Sequence, residues 1–277
     1  MTVDAHFHCW QPARGDYGWL TPALGPIYRD VAVSDWQAES APRGVTGGVL
    51  VQAAPTEAET AFLLAQAEAN PAVLGVVGWV DLAAADAPAR IEKLARHPRL
   101  KGLRPMLQNL DHAEWILRPA LAPALRAMAD CALVFDALVK SMHLAHILTL
   151  ADRHPGLRIV IDHAGKPAIA AGEWQPWADG MARLASQTGA CCKLSGLLTE
   201  AGPTPAPGAV QPWAAHVLDC FGADRLVWGS DWPVLELAGS YAQWWAESRQ
   251  LLAHLSPQAQ DDVMDGNARR LYRLAPA

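Results

Sequence analysis

Val3-Asp4-Ala5-His6-Phe7-His8 places two histidines two residues apart near the start of the chain, and this stretch decides how the rest of the sequence is interpreted. It predicts a strand over residues 2–7. Side chains two apart in a strand share a face, so Asp4, His6 and His8 are expected to point the same way. Imidazoles on a buried strand need a metal ion, a carboxylate or a polar ligand as partner. An exposed edge strand is the alternative, and this stretch alone leaves both interpretations open.

The composition is that of an ordinary globular protein. The chain has 277 residues, of which 51% are hydrophobic and 18% are charged, and its formal net charge is −6. Without a basic run it offers no electrostatic footprint for nucleic acid or an anionic membrane. No apolar stretch reaches the roughly 18 residues that span a bilayer, and no charged leader precedes an apolar run. We therefore expect a soluble cytoplasmic protein, and homo-oligomers are left open.

The cysteines point to a reducing compartment. Their odd number and the lack of a CxxC pair argue against a disulfide framework and against a thiolate zinc site. The five are Cys9, Cys131, Cys191, Cys192 and Cys220. Cys9 lies beside His8 but has no activating partner at a defined spacing, so we interpret it as a packing residue.

Short apolar runs alternate with Ala- and Leu-rich segments from residue 45 onward, which predicts strands followed by helices. Strands are predicted at 2–7, 45–51, 74–80, 100–104, 132–137, 158–162, 190–195 and 225–230. Helices are predicted at 57–70, 86–97, 117–130, 141–154, 173–188, 207–222, 239–253 and 257–272. Eight strand-then-helix units in about 270 residues indicate an α/β fold with one (β/α)8 barrel domain over residues 1–277. A doubly wound sheet is the alternative, since both folds bury their strands on two faces.

Residues 9–40 interrupt this alternation with a long segment rich in Pro, Gly and Trp. It lacks clear periodicity, so we predict an irregular loop, and long loops of this kind are often functional. Its aromatic residues are Trp10, Tyr17, Trp19, Tyr28 and Trp36. That aromatic content predicts a loop that is ordered and packed on the body of the protein.

Polar or ionisable side chains follow nearly every predicted strand at its carboxyl end. They are His6 and His8, Gln52, Asp81, Arg104 and Gln108, Asp136 and Lys140, Asp162 and His163, Lys193 and Ser195, and Ser230 and Asp231. In a barrel these ends surround one mouth, where such enzymes place their chemistry. Taken alone, a histidine such as His163 is more often a satisfied loop or core histidine than a ligand. Asp231, between two indoles, is either a general base or ligand or a loop hydrogen-bond acceptor.

Several motifs together resemble the lactonase branch of the amidohydrolase superfamily. They are Asp-x-His-x-His-x-Trp at 4–10, Lys101-Gly102-Leu103-Arg104 with Gln108, Asp162-His163-x-Gly165-Lys166-Pro167, Lys193-x-Ser195-Gly196-Leu197 with Thr199-Glu200, Gly229-Ser230-Asp231-Trp232-Pro233, and Asn267-Ala268. The resemblance runs along the whole chain in order. It implies a TIM barrel without the accessory β-sandwich of many members. The residues that it implies at the mouth are His6, His8, His163 and Asp231.

The resemblance also implies hydrolysis of a sugar lactone, such as L-fuconolactone or L-rhamnonolactone, to the open acid. The reaction needs a nucleophilic water, a base and positive character at the carbonyl oxygen. Asp231 is expected to take the proton from water. The histidines are expected either to donate hydrogen bonds to the oxyanion or, with Asp231, to hold one divalent ion, for which zinc suits the donor set. Both versions require Asp231 within about 10 Å of His8 and His163.

A second metal ion is not expected, because the fifth strand ends without a histidine and the fourth ends at Arg104. The candidate substrate contacts are Arg104, Gln108, Lys193 and Trp10. A cationic side chain suits a carboxylate or a hydroxyl-rich ring, and an indole suits a sugar face. Salt bridges within the barrel and packing of the loop are equally open interpretations of these residues.

Two other functions compete with lactone hydrolysis. A metal-dependent decarboxylase of the aminocarboxymuconate-semialdehyde type shares the opening His-x-His and the late aspartate. An inactive barrel that serves as a binding module is the other alternative. The Gly165-Lys166-Pro167 and Lys193-x-Ser195-Gly196-Leu197 motifs favour the lactonase, and the presence of His163 and Asp231 argues against an inactive barrel.

Overall fold

The computed structural model describes residues 1–275 and contains eight parallel strands in one sheet, in the order β1 to β8. The strands are β1 (Thr2–Phe7), β2 (Val45–Val51), β3 (Val73–Gly78), β4 (Leu100–Leu103), β5 (Val134–Ala137), β6 (Arg158–Ile161), β7 (Cys191–Leu194) and β8 (Leu226–Trp228). The sheet curls back on itself so that β1 meets the residues after β8. The prediction of a (β/α)8 barrel is therefore confirmed, and all eight predicted strands are present.

Helices cover the outside of the sheet. They are α1 (Val33–Ser40), α2 (Glu57–Ala69), α3 (Ala87–Ala95), α4 (Ala122–Asp130), α5 (Leu144–Arg153), α6 (Gln175–Gln187), α7 (Leu197–Glu200), α8 (Gln211–Phe221), α9 (Tyr241–Leu252), α10 (Pro257–Asp261) and α11 (Asn267–Tyr272). The last predicted helix is divided, because a π-helical turn at Asp262–Gly266 separates α10 from α11. None of the helices within residues 1–275 is long and apolar enough to cross a membrane.

The loop segment at 9–40 is less irregular than predicted, since it contains α1 and several single helical turns. Most of its aromatic residues pack as expected, although Tyr28 is exposed: Trp10 and Trp36 are fully buried, and the Trp36 ring stacks on Phe7 with centroids 4.0 Å apart. Stacked aromatic pairs bury much apolar area and fix relative orientation. The segment is thereby attached to the first strand.

The inside of the barrel is filled by valines at its lower end and by polar groups at its carboxyl-terminal mouth. The valines come from six strands: Val3, Val49, Val77, Val134, Val160 and Val227. Leu271 and Tyr272 of α11 pack against them. Branched side chains of this kind fill the interior layers of TIM barrels. Any chemistry inside the barrel is thus confined to the end where the strands finish.

Asp4 does not share a face with His6 and His8, which corrects the expectation from simple alternation. The pairing register of β1 with β2 shifts between Asp4 and Phe7, and such a bulge reverses the facing of the residues after it. Asp4 consequently faces the helix layer, where it accepts hydrogen bonds from Trp36 Nε1 at 2.9 Å and Tyr241 OH at 3.0 Å. It also accepts from Ser230 N at 2.8 Å and Ser230 Oγ at 2.6 Å.

We expect Asp4→Ala to lower the free energy of unfolding by roughly 3 kcal/mol, because it leaves several buried donors without an acceptor. Urea denaturation followed by tryptophan fluorescence measures this change. Asp111→Ala, at an exposed aspartate, is the matched control and is expected to stay within about 0.5 kcal/mol of the unsubstituted protein. Equal effects of the two substitutions would contradict a structural role for Asp4.

Candidate active site

Three histidines converge on one carboxylate oxygen at the mouth of the barrel. Asp231 Oδ1 lies 3.3 Å from His8 Nε2, 3.7 Å from His6 Nε2 and 3.7 Å from His163 Nε2. All four side chains are buried. The structure therefore brings together the residues that the sequence separates by more than 220 positions.

Two of these residues have left-handed backbones. Asp231 has φ of 59° directly after β8, and His163 and Ala164 have φ of 51° and 52° directly after β6. Non-glycine residues rarely adopt this conformation, and such local strain clusters at functional sites. These left-handed turns point the side chains of Asp231 and His163 toward the mouth of the barrel. A continued strand would not point them there.

The second nitrogens of His8 and His163 are held by neighbouring strands. His8 Nδ1 lies 2.7 Å from the Val51 carbonyl oxygen, which can only accept, so the hydrogen of a neutral His8 is on Nδ1. The lone pair of His8 Nε2 then points at a lone pair of Asp231 Oδ1. Because the two repel each other, a proton or a cation between them is favoured. His163 Nδ1 lies 2.9 Å from Ser195 Oγ, which can donate or accept.

Behind His6 lies a fully buried ionic cluster. Lys193 Nζ donates to Asp136 Oδ2 at 2.6 Å, lies 2.9 Å from Asp162 Oδ1 and is 3.0 Å from His6 Nδ1. Tyr272 OH donates to the same Asp136 oxygen at 2.6 Å. Asp136 and Asp162 were recognised in the sequence as strand-end residues but were not assigned to the site. Their pairing with Lys193 depends on strand order, which sequence spacing does not encode.

Burial and neighbouring charges set the ionisation of these groups. Burial raises the pKa of Asp231, but the histidines, His163 first, more than offset this and lower it below its ordinary value. Burial lowers the pKa of His163 to about 4 although Asp231 opposes the shift. The pKa of His6 is well below its usual value because of burial and the Lys193 ammonium. At neutral pH the site thus holds an ionised Asp231 beside neutral His6 and His163.

The two carboxylates on Lys193 differ. Burial raises the pKa of Asp136 to about 6 even though Lys193 partly offsets the shift. For Asp162, burial acts in the same direction but Lys193, His6 and Arg104 together hold the pKa well below its ordinary value. Asp162 therefore stays ionised and balances the positive charge of Lys193 beneath His6.

A cavity of about 110 Å³ opens above Asp231. Its wall is formed by His8, Trp19, Ala53, Arg104, Met106, Gln108, Leu138, His163, Lys166, Asp231 and Val234. Larger clefts lie elsewhere, and the one of about 870 Å³ is lined by Arg158, Cys191 and Asn267 among others, away from the four convergent residues. We assign the site to the smaller cavity because His8, His163 and Asp231 face it.

The predicted substrate contacts divide into two pairs. Arg104 and Gln108 lie on the cavity wall. Lys193 is fully buried behind His6, and Trp10 is fully buried with its Nε1 donating to the Ile27 carbonyl at 3.2 Å. Neither Lys193 nor Trp10 lies on the wall, since the ionic cluster holds the first and packing against the body holds the second.

Sequence reasoning missed Trp19 and Lys166 as wall residues. The Trp19 indole donates to the Ala53 carbonyl at 2.7 Å, and Lys166 forms an ion pair with Glu200. Glu59 of α2 supports this wall by accepting from Ala53 N at 2.9 Å, and burial raises its pKa to about 7. The Gly-Lys-Pro motif was the available signal for Lys166, whereas Trp19 belongs to none of the motifs and the motif at 4–10 pointed to Trp10 instead.

Arg104 joins the wall to the ionic cluster. Its Nη2 donates to the Gln52 carbonyl, and its Nη1 lies 3.4 Å from Asp162 Oδ2 and 3.3 Å from His6 Nε2. Its buried Nε has no hydrogen-bond partner in the protein.

The site also fits a single metal ion by distance and donor type. One ligand atom each from His6, His163 and Asp231 lies within 4.8 Å of the others, and His8 Nε2 faces the same carboxylate oxygen. Imidazole nitrogens with a carboxylate oxygen form a donor set that zinc favours. Two cationic contacts of His6 work against this arrangement, that of Lys193 with Nδ1 and that of Arg104 with Nε2.

Comparison with known proteins agrees with the fold. The sequence model of the amidohydrolase family matches residues 3–274, and the chain belongs to that family. An L-fucono-1,5-lactonase from Burkholderia ambifaria is 48% identical over 276 residues, covering 98% of this chain and 95% of that protein. Another L-fucono-1,5-lactonase, from Burkholderia multivorans, is 32% identical and covers 99% of this chain and 96% of its own length.

Among solved structures, an amidohydrolase from Burkholderia multivorans with bound zinc has a TM-score of 0.94 to this chain at 30% identity. The match covers 99% of this chain and 100% of that one. The superfamily resemblance seen in the motifs is thus confirmed.

We expect His163 to make stability depend on pH. Its folded pKa of about 4 lies below the value of about 6.5 for an unfolded imidazole, so between these values only the unfolded chain binds the proton. The contribution to stability, about 3 kcal/mol, is present above about pH 6.5 and is lost as the pH falls toward 4. Urea titrations at several pH values should show that His163→Asn loses this share of the acid sensitivity.

His112→Asn, at an exposed histidine, is the control for this experiment and should keep the acid sensitivity of the unsubstituted protein. A His163→Asn protein that loses stability with falling pH as steeply as the control would contradict a buried neutral His163.

Proposed function

We propose that this protein hydrolyses a sugar lactone of the L-fucono-1,5-lactone type to the open acid. The observation that carries the proposal is the position of Asp231 Oδ1 within 3.7 Å of three imidazole nitrogens beside a small cavity. The 48% identity to an L-fucono-1,5-lactonase over nearly the whole chain supports the substrate class. Decarboxylation is less well supported, because both named relatives are lactonases.

Asp231 is the general base in this proposal. Its carboxylate accepts a proton from water as the water oxygen bonds to the ring carbonyl carbon, and the same proton then passes to the ring oxygen as the ester bond breaks. The low pKa of Asp231 keeps it ionised at neutral pH but makes it a weak base. That weakness is tolerable because the water becomes strongly acidic only once its new bond to carbon is forming.

Negative charge that develops on the carbonyl oxygen requires donors already in place. Arg104 and His163 both lie on the cavity wall, and Arg104 carries a permanent positive charge there. We assign the oxyanion to these two residues. His6, expected from the sequence to share this task, is fully buried and is not part of the wall.

Hydroxyl groups of the sugar are assigned to the other polar wall residues. Gln108 has a buried Oε1 without a partner in the protein, and Lys166 with Glu200 offers a donor and an acceptor side by side. Trp19 supplies a flat apolar face. If zinc is bound, His6, His8, His163 and Asp231 would hold it, and it would supply Lewis-acid polarisation of the carbonyl.

A panel of aldonolactones with a pH indicator tests the proposal. We expect acid release from L-fucono-1,5-lactone, and we expect Asp231→Asn to lower kcat/KM by about 100-fold or more because the general base is lost. Asp219→Asn, at an exposed position on α8, is the control and should leave the rate unchanged. An unsubstituted protein that is inert on the whole panel would refute lactone hydrolysis.

Gly196 provides a test of the position of His163. Gly196 has φ of +67°, and a Cβ there would lie 2.6 Å from His163 Nδ1. We expect Gly196→Ala to displace the imidazole and to lower kcat/KM by roughly 100-fold. Gly189 lies just before β7, the strand that precedes Gly196, and a Cβ added there has nothing within 4 Å. Gly189→Ala should therefore keep normal activity. Equal activity of the two variants would show that the imidazole is not needed where it stands.

A further inference from the structure

His6 lies between two cationic side chains, and this raises the question of which nitrogen carries its hydrogen. Lys193 Nζ is 3.0 Å from His6 Nδ1, and Arg104 Nη1 is 3.3 Å from His6 Nε2. Ammonium and guanidinium groups donate hydrogen bonds and accept none. A neutral imidazole has one lone pair available in its plane, so only one of these contacts can be a hydrogen bond.

The shorter contact, with Lys193, has the stronger claim to that lone pair. Arg104 Nη1 also reaches Asp162 Oδ2 at 3.4 Å, so it has another acceptor. The opposite tautomer would direct the Nδ1 hydrogen toward Asp162 Oδ1, which lies 3.6 Å away, about as far as Asp231 Oδ1 lies from Nε2. It would also leave Lys193 and Nδ1 as two donors 3.0 Å apart in the barrel interior.

We propose that Lys193 is a positioning residue that keeps the hydrogen of His6 on Nε2, where it faces Asp231 and orients that carboxylate as the base. The proposal rests on the proposed function for its catalytic consequence but not for the tautomer itself. Nε2 lies 3.7 Å from Asp231 Oδ1, within reach of a small closing movement. In this arrangement His6 lacks the Nε2 lone pair that a metal ion would need.

The assignment separates the roles of the two histidines of the opening motif. His8 Nδ1 faces a carbonyl oxygen, which leaves its Nε2 free to bind a proton or a cation. His6 Nδ1 faces an ammonium group, which leaves its Nε2 as a donor. His6 thus presents a hydrogen, and His8 a lone pair, to the same oxygen of Asp231.

The tautomer is measured directly by ¹⁵N NMR of metal-free protein labelled at histidine, with His6→Asn used to assign the His6 signals. We expect the proton-bearing nitrogen of His6 to be Nε2. A protonated Nδ1 would overturn the proposal whatever the enzyme hydrolyses. Lactone hydrolysis could fail its own test without changing this measurement, so the two failures are distinguishable.

Variants of the ionic cluster test what the tautomer of His6 does to catalysis and to zinc binding. Lys193→Met removes the donor, and the double variant Lys193→Met with Asp136→Asn removes it while keeping the net charge of the cluster and leaving fewer unpaired carboxylates. We expect kcat to fall by about tenfold or more with KM changed less, because the base is misoriented while the cavity wall is intact. We also expect zinc to bind about tenfold or more tightly, measured by competition with a chelator, because His6 can then offer Nε2.

Lys101→Met, a lysine substitution on β4 where the side chain reaches only the Arg273 carbonyl, is the matched control. It should leave the tautomer, kcat and zinc affinity unchanged. A double variant that folds, keeps the unsubstituted kcat and binds zinc no more tightly would overturn the positioning role.

Discussion

The seam where β1 meets the residues after β8 is the constraint on which the site depends. Strand β8 ends at Trp228, yet Asp231 N donates to the His6 carbonyl at 2.8 Å and His8 N donates to the Trp232 carbonyl at 2.8 Å. These bonds set the base in register with the histidines of the first strand. Asp4 anchors the seam from the helix side by accepting from Ser230. The hydrogen bonds that close the barrel are therefore the same ones that bring the site together.

The ionic cluster beneath the site is difficult to explain by stability alone. Lys193, Asp136 and Asp162 are fully buried, and desolvation of buried ions often exceeds their mutual attraction, so apolar residues of similar volume would serve stability as well. The valine layer directly below shows that this barrel can fill its interior that way. The charged layer occurs where the histidines need fixed hydrogen-bond partners. Its position favours a role in orienting His6 over a role in folding.

The strands and their common mouth could be predicted from short-range pattern and barrel geometry, whereas the choice of His6, His8, His163 and Asp231 among the strand-end residues rested on the family resemblance. Apolar runs mark the strands, and parallel strands of a barrel end at one mouth. The facing of Asp4 could not be predicted, because a bulge within β1 breaks the period of two. Trp19 rather than Trp10 reaches the wall, and Lys193 lies behind it, for reasons of loop path and strand neighbours that a single sequence does not encode. Helix α1 was missed because its apolar positions are few.

The pairing of charged side chains at the mouth of the barrel leaves Asp231 as the carboxylate that is available to bind a proton or a cation. Arg104 and Lys193 are matched by Asp136 and Asp162, with which they form ion pairs. The carboxylate of Asp231 remains without a cationic side chain as partner and faces neutral His6 and His163 across 3.7 Å. A positive charge bound between this carboxylate and the imidazoles neutralises it, although its low pKa makes proton binding transient at neutral pH. A proton taken from water supplies that charge during hydrolysis, and a divalent cation would compete for the same place. The balance between the two is then set by whether His6 offers a hydrogen or a lone pair, which is the property that Lys193 controls in our proposal.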